Sequence, residues 1–295
     1  LTFAETGLDT LRLHLRGNGQ VPTQLIELLC TATLGIAIAD GPADPRPTLL
    51  PPGSLRQVGF APEEAALPWP PRAFTGHRLL TEYFAFPQKF LYLDVDGLDA
   101  RSLVQRGPRM EIFFYLSRAV PELERAVSAE NFALGCTPAV NLFRHPCEPI
   151  ALDGTQADWL VVPDARRPAA LEVYAIEAVR LGRPEDPRPR RVPAFHRLRH
   201  SEAGEEEAPG MAWLASRRPA PARLGGSEMR LMLRDPHFDP ALPADGVLGI
   251  DALCCSRDLP SLLPFGGGQP RLRIVDAGTP AGGAECLSPP TPTLR

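Results

Sequence analysis

Leu11, Leu13 and Leu15 alternate with Arg12, His14 and Arg16, and a period of two places the three leucines on one face of a strand. Gly17-Asn18-Gly19 turns the chain. Pro22 stands where a first helical turn begins, and Leu25, Ile26, Leu28 and Leu29 follow at the spacing of a short amphipathic helix. Thr33 to Ala39 reads as a second, buried strand. Residues 40–75 are studded with nine prolines, from Pro42 to Pro71, and read as a long ordered loop tethered by Leu55, Val58 and Phe60. In the segment HRLLTEYFAFPQKFLYLDVDG, from His77 to Gly97, Leu79, Leu80, Tyr83 and Phe84 lie at helical spacing, with Thr75 as the expected N-cap. Pro87 ends that helix and holds Phe86 extended. From Phe90 to Val95 the pattern alternates again, with Leu91, Leu93 and Val95 opposite Phe90, Tyr92 and Asp94. If both faces are covered the aromatics are core; if one is open they are a docking surface.

The pattern then recurs. Met110 to Leu116 is a strand, Pro121 to Ala129 a short helix, and Phe132 to Phe143 strand-like around Pro138. Strand, turn, helix and a Cys-Thr strand therefore occur twice, marked by Cys30-Thr31 and Cys136-Thr137. A weaker third copy is expected at Met229 to Leu233 and Leu248 to Ser256. Trp159 to Val162 and Leu171 to Leu181 read as the two strands of a hairpin. Residues 183–210 are charged and proline-rich and are expected to link two domains, 1–182 and 211–295. Short strands follow, Arg271 to Val275 among them. The fold class expected is α+β, β-dominated: short, mostly antiparallel strands with a few short helices and long proline-rich loops.

Composition explains the short elements. The 35 prolines among 295 residues are about 12%, against a usual ~5%, and each removes a backbone donor and fixes φ. An apolar content of 44% still supports a globular core. The net charge of −4 favours no polyanion, so no nucleic-acid partner is expected. Lys89 is the only lysine; the remaining cationic side chains are arginine, which suits bidentate contacts with carboxylates. Six cysteines without a C-x-x-C pair read as reduced, mostly buried thiols of a cytoplasmic protein. The longest near-apolar run, Leu25 to Ala39, contains Glu27 and is shorter than the ~20 residues of a membrane span. The chain opens on Leu1 without a methionine or a leader, as a piece of a longer protein would.

Candidate chemistry is sparse. Asp94 and Asp96 form a D-x-D that would place two carboxylates on one divalent cation, as in a metal-dependent transferase, but Asp96-Gly97 is also a strand-end turn. His237 lies between Asp235 and Asp239, and Pro236 and Pro240 make that stretch a turn. Gly266-Gly267-Gly268 lacks the Lys-Ser/Thr of a phosphate-binding loop. Arg183, Arg188, Arg190, Arg191, Arg197 and Arg199, with His196 and His200, form a basic stretch that Glu202, Glu205, Glu206 and Glu207 cancel. Ser227 after Gly225-Gly226 has only half of a nucleophile elbow. No catalytic, cofactor-binding or metal-binding residue is assigned, and no cofactor is expected. A carbohydrate-binding β-sandwich module is the other class that these residues leave open.

Several pieces, in order, resemble the TssF family, also called VasA or ImpG, of the bacterial type VI secretion system. They are LRLHLRG from Leu11, LPPGSLRQVGF ending at Phe60, HRLLTEYFAFPQKFLYLDVDGL over 77–98 and CTPAVNLF over 136–143. Pro149-Ile150, VVPDARRPAALEVYAIEAV over 161–179, MRLMLRD over 229–235 and CSRDLPSLLP over 255–264 complete the set. The resemblance covers nearly the whole chain, and residues 183–210 match no family motif. It implies an internal part of a non-enzymatic baseplate subunit, in which two TssF copies and one TssG form a wedge around the spike hub. TssE, the TssK adaptor and the sheath are the further partners implied, in the bacterial cytoplasm at the inner-membrane complex, without membrane insertion.

Overall fold

The computed structural model describes residues 3–70, 73–99, 103, 109–183, 186–196, 211–234, 246–273 and 283–291. The chain divides into two compact units, Leu1–Val140 and Asn141–Arg295. It is β-dominated, with every named strand pair antiparallel. No helix among the described residues is long and apolar enough to cross a membrane.

In the first unit β1 (Thr10–Leu15), α1 (Val21–Ala32) and β2 (Thr33–Ala39) form where the alternation and the Pro22 helix start place them. The proline-rich stretch that follows is not all loop. It contributes β3 (Thr48–Leu50), which pairs with β2, and β4 (Leu55–Val58). After α2 (Thr75–Ala85) and a 3-10 turn at Pro87–Phe90 comes β5 (Tyr92–Asp96). Then follow β6 (Glu111–Leu116), α3 (Pro121–Ala126) and a two-residue β7 (Phe132–Ala133). One sheet runs β4-β5-β1-β7 and the other β3-β2-β6. Leu13 and Val95 of the first pack on Ile36 and Ile38 of the second, while Leu15 and Leu93, on the same face, take Leu25, Ile26 and Leu29 of α1. Leu28 and Ala32 of α1 meet Leu123 of α3. The two strand-helix-strand pieces thus pair crosswise, β1 with β7 and β2 with β6. Their Cys-Thr markers do not correspond: Cys30-Thr31 closes α1, and Cys136-Thr137 lies beyond β7 outside any strand.

The second unit is a sandwich. Its strands are β8 (Phe143–Pro146), β9 (Ile150–Leu152), β10 (Trp159–Leu160), β11 (Glu172–Arg183), β12 (Asp186–Val192), β13 (Ala212–Pro219), β14 (Ser227–Arg234) and β15 (Gly246–Cys255). One sheet runs β10-β14-β13; the other runs β12-β11-β15-β8, with β9 also on β15. Period two governs both inner faces. Met229, Leu231 and Leu233 point in from β14, and Leu248, Ile250, Ala252 and Cys254 from β15. β11 loses strict alternation because two bulges against β15 reset its register, one between Val173 and Ala175 and one between Ile176 and Ala178.

Several expectations change here. Trp159–Leu160 pairs with β14 and Glu172–Arg183 with β12 and β15, so the hairpin expected between them does not form. β14 and β15 lie in different sheets, as β1 and β2 do, and the segment between them, where a third copy would carry its helix, lies outside the described residues. The units divide after Val140 rather than at 183–210, because β12 folds back on β11 and β11 pairs with β15 from beyond that stretch. Of the cysteines only Cys147 and Cys254 are buried, and Cys30 is exposed. The strand at Arg271–Leu272 pairs with Ala284–Glu285 and stops before Arg273, and 274–275 of the expected strand lie outside the described residues.

Leu231 and Leu248 are fully buried in the sandwich and Leu262 is 77% exposed. Replacing either buried leucine with alanine costs about 2–5 kcal/mol, and Leu262→Ala stays within about 0.5 kcal/mol. Urea unfolding of the three variants checks the contrast.

Candidate functional site

α2 carries its large apolar side chains on the side away from the core. Its apolar side chains share a face as their spacing requires, but that face looks outward: Leu80 is 59% exposed, Tyr83 53% and Phe84 74%. The inward side chains are Arg78 and Glu82, one helical turn apart and almost inaccessible. Thr75 is the first residue of the helix and no cap; Phe74 precedes it, exposed, with its ring edge-on to His77. β5 begins at Tyr92 rather than Phe90, which ends the 3-10 turn before it; both Phe90 and Tyr92 are buried, so they are core. The exposed aromatics belong to the helix instead.

The reason lies in the loop before it. Glu82 Oε1 accepts the backbone N–H groups of Ala66 (2.8 Å) and Leu67 (3.0 Å). Its Oε2 accepts from Lys89 Nζ at 2.6 Å and from Arg78 at 3.4 Å. Arg78 also donates to the Phe60 carbonyl (2.7 Å) and the Ala61 carbonyl (3.2 Å), and Lys89 to the Gly59 carbonyl (2.7 Å). Lys89 Nζ sits 4.7 Å from the Phe90 ring centre. Glu64 fastens the same loop from its other side, accepting from the Gly59 N–H (2.6 Å), the Ala61 N–H (3.1 Å) and Arg56 (3.0 Å). Gly59 has φ +116°, and a Cβ there would lie 3.1 Å from both the Lys89 carbonyl oxygen and the Phe90 ring. Residues 59–67, nominally loop, thus supply the hydrogen-bond partners that let a carboxylate and two cations be buried together. Burial pushes the Glu82 carboxyl up, but the Lys89 hydrogen bond, the two loop amides and the Lys89 charge together hold it below its ordinary value. Glu64 is held low in the same way, burial being overcome by the Gly59 amide and Arg56.

Asp94 and Asp96 are drawn into the sheet itself. Arg12 grips Asp94 with two bonds, at 2.7 and 2.8 Å, and Arg56 reaches it at 2.6 Å from the strand on the other side. Asp96 accepts from Thr10 at 2.7 Å. Three guanidinium nitrogens occupy the two oxygens of Asp94, which is buried, so the D-x-D works as an ion-pair ladder across three strands. On the same face His14 stacks on Tyr92 with ring centres 4.4 Å apart. Burial pushes the imidazole down and the phenol up to about 12. Ser227 donates its hydroxyl to Glu172, whose other oxygen faces Arg257, an arrangement that ties β14 and the segment after β15 to β11. The three glycines at 266–268 form a tight turn closed by two Gly266–Gln269 backbone bonds of 3.1 Å. Arg183, Arg188, Arg190 and Arg191 lie on the β11–β12 hairpin, where Arg180 pairs with Asp251, and His196 follows it. Arg197, Arg199, His200, the four glutamates and the Asp235–Asp239 stretch lie outside the described residues. Helical spacing and alternation alone do not bring Arg78, Glu82 and Lys89 together. The signals available were an Arg and a Glu four apart in an otherwise apolar helix, and the solitary lysine.

Lys89→Met leaves the Glu82 carboxylate buried without its nearest cation, and destabilises the first unit by about 3–5 kcal/mol. Because the folded carboxyls of Glu82 and Glu64 bind protons less readily than the unfolded ones, the unfolded chain takes up more protons as pH falls. Stability is therefore full above the ordinary carboxylate range near ~4.3 and declines as pH drops through it. Thermal unfolding of wild type and K89M between neutral and acidic pH reads both effects, and the variant shows the shallower decline.

Comparison with known proteins places this geometry. The family model described as "Type VI secretion system, TssF" matches residues 1–295. The type VI secretion system component TssF1 of Pseudomonas aeruginosa is 33% identical over 302 residues, an alignment that takes in 99% of this chain and 48% of that protein. The chain therefore spans about half the length of the curated relative it matches. A chain of the TssK-TssF-TssG baseplate subcomplex of the type VI secretion system, solved by cryo-electron microscopy, shares the fold. The TM-score is 0.62 at 21% identity, over 84% of this chain and 43% of that one. With a family match from end to end, the chain belongs to the TssF family of the type VI secretion system.

Proposed function

We propose that this chain is part of a non-enzymatic wedge subunit in the baseplate of a contractile type VI secretion machine. The observation that carries the reading is the family match along the entire chain; the solved complex sharing its fold, by its title, joins TssF to TssK and TssG. The physical character of the chain agrees. Its ionisable clusters are consumed in holding strands and loops together: Arg12 and Arg56 on Asp94, Arg230 on Asp158 at 2.7 and 3.0 Å, and Lys89 and Arg78 on Glu82. Among the described residues, one helix presents an exposed aromatic face. That is the profile of an assembly part rather than of a reaction vessel.

In this reading the wedge contains two copies of the whole protein and one TssG, rings the spike hub, and connects to TssE, TssK and the sheath. It works in the bacterial cytoplasm, docked at the inner-membrane complex. The wedge holds the ring closed and rearranges when the sheath contracts. Rigid, proline-set loops suit such a role because little conformational entropy remains to be lost on docking. Co-expression of the full-length protein with TssG from the same secretion system, followed by sizing, tests the reading. The expected result is a single species with two copies to one TssG. Separate elution of the two proteins contradicts it.

A further inference from the structure

His14 is an ionisable side chain buried on the face of β1 opposite its leucines. Its ring stacks on Tyr92 of β5, directly across the strand pair, with centres 4.4 Å apart. Its other neighbour across the sheet is Ala133 of β7, which offers only a methyl group. Nδ1 is buried and makes no hydrogen bond among the described residues. The Leu91 carbonyl, which favours a positive ring, already takes the Leu15 N–H at 2.8 Å. The charged neighbours give no relief. Arg12 and Arg16, two residues to either side along the chain, are cations. Asp94 on β5 is held by Arg12 and Arg56, and Asp96 accepts from Thr10. Glu64, close to Arg56 of β4, is taken up by that arginine and the Gly59 and Ala61 amides. Tyr92, pushed up to about 12, and Cys136 beyond β7, pushed up by burial, stay neutral at and below neutral pH. The site fits a flat neutral imidazole; an imidazolium there is a buried cation with a bare N–H.

We infer that His14 makes the β1–β7 junction acid-sensitive: the edge strand stays docked while the imidazole is neutral and is released when the ring takes up a proton. β7 is the side that gives way. Five residues of β1 pair with β5, and the Arg12–Asp94 fork fastens that side. β1 and β7 pair only at His14–Ala133 and Leu15–Phe132, continued by two bonds between Arg16 and Asn131, at 2.9 and 2.8 Å. Once Ala133 moves off, the ring is free to reach water, and Phe132 leaves the two core clusters it packs against. An edge held by so few bonds opens at lower cost than the domain unfolds. Burial pushes the closed-state imidazole down, and the Arg16 charge adds to it, so the opened junction binds a proton more readily than the closed one. The junction is therefore at full strength above the ordinary histidine value near ~6.5 and weakens as pH falls below it, whereas Glu82 and Glu64 act only from the carboxylate range near ~4.3 downward. It belongs to the first unit alone and does not depend on the wedge-subunit reading.

The test uses the full-length protein at pH ~7.5 and ~5.5, both above the carboxylate range. Histidine C2-hydrogen exchange read by mass spectrometry gives the titration midpoint of His14 itself. Backbone hydrogen exchange, corrected for the intrinsic rate at each pH, gives the opening of residues 131–136 and, for comparison, of 92–96. An imidazole of ordinary pKa ~6.5 is about 90% protonated at pH ~5.5, so opening at 131–136 is expected to rise up to about tenfold between the two conditions. Opening at 92–96 is expected to change less. His14→Phe keeps an aromatic ring against Tyr92 and has no nitrogen to titrate, and the acid-induced rise at 131–136 is expected to vanish in it. A His14 midpoint at or above the ordinary value overturns the inference. So does wild-type opening at 131–136 that is the same at both pH values, or a rise that persists in full in His14→Phe. The midpoint and the wild-type exchange are both read without a substitution, so they decide the matter if His14→Phe does not fold.

Discussion

The carboxylate of Glu82 is the point on which the first unit turns. It is buried under α2 and receives four donors: two loop amides, the single lysine of the chain and an arginine one turn back. Charges are expensive to bury, and such a group persists only when its partners are complete. Completing them requires the 59–67 loop to pass directly beneath the helix, with Gly59 tight against Lys89 and Phe90. Once that loop is in place, the helix has one orientation and its aromatic face has nowhere to go but outward.

That dependence also explains what could be read in advance. Period two identified β1 closely, because in a two-sheet layer a strand buries the face that its own alternation defines. The outward turn of α2 was not legible. Helical spacing tells which residues share a face, and Leu79, Leu80, Tyr83 and Phe84 are neighbours as expected. The direction that face looks is set by hydrogen-bond partners some fifteen to thirty residues away, which spacing does not encode. β3 and β4 escaped for a related reason: they are short, proline-flanked, and exist only because β2 and β5 offer them an edge. The hairpin expected over 159–181 does not form because adjacency in sequence is not adjacency in a sheet: Trp159 pairs with Leu231 in one sheet, and 172–183 pairs with β12 and β15 in the other.

Arginine does much of the cross-strand work. Arg12 and Arg56 approach Asp94 from strands on either side of β5, and Arg230 forks onto Asp158 beside β10. A residue pair that resembles a metal site in one dimension is, in three, a ladder that fixes register. The short strands that proline imposes gain from such lateral ties, since each strand contributes few backbone bonds. These charged groups are turned to internal use, and the outward face of α2 carries no Asp, Glu, Lys or Arg.

The presence of one lysine in these 295 residues offers a direct measurement. Lys89 lies at 2% exposure with its ammonium on Glu82 and the Gly59 carbonyl. An amine-acylating reagent applied to the native protein, with peptide mass spectrometry to locate the label, reports whether that ammonium is buried. The account predicts that Lys89 stays unmodified in the folded protein and reacts at an ordinary lysine rate once the chain is denatured. Modification of Lys89 in the native protein at the rate of an exposed amine would contradict the buried cluster, and with it the outward face of α2.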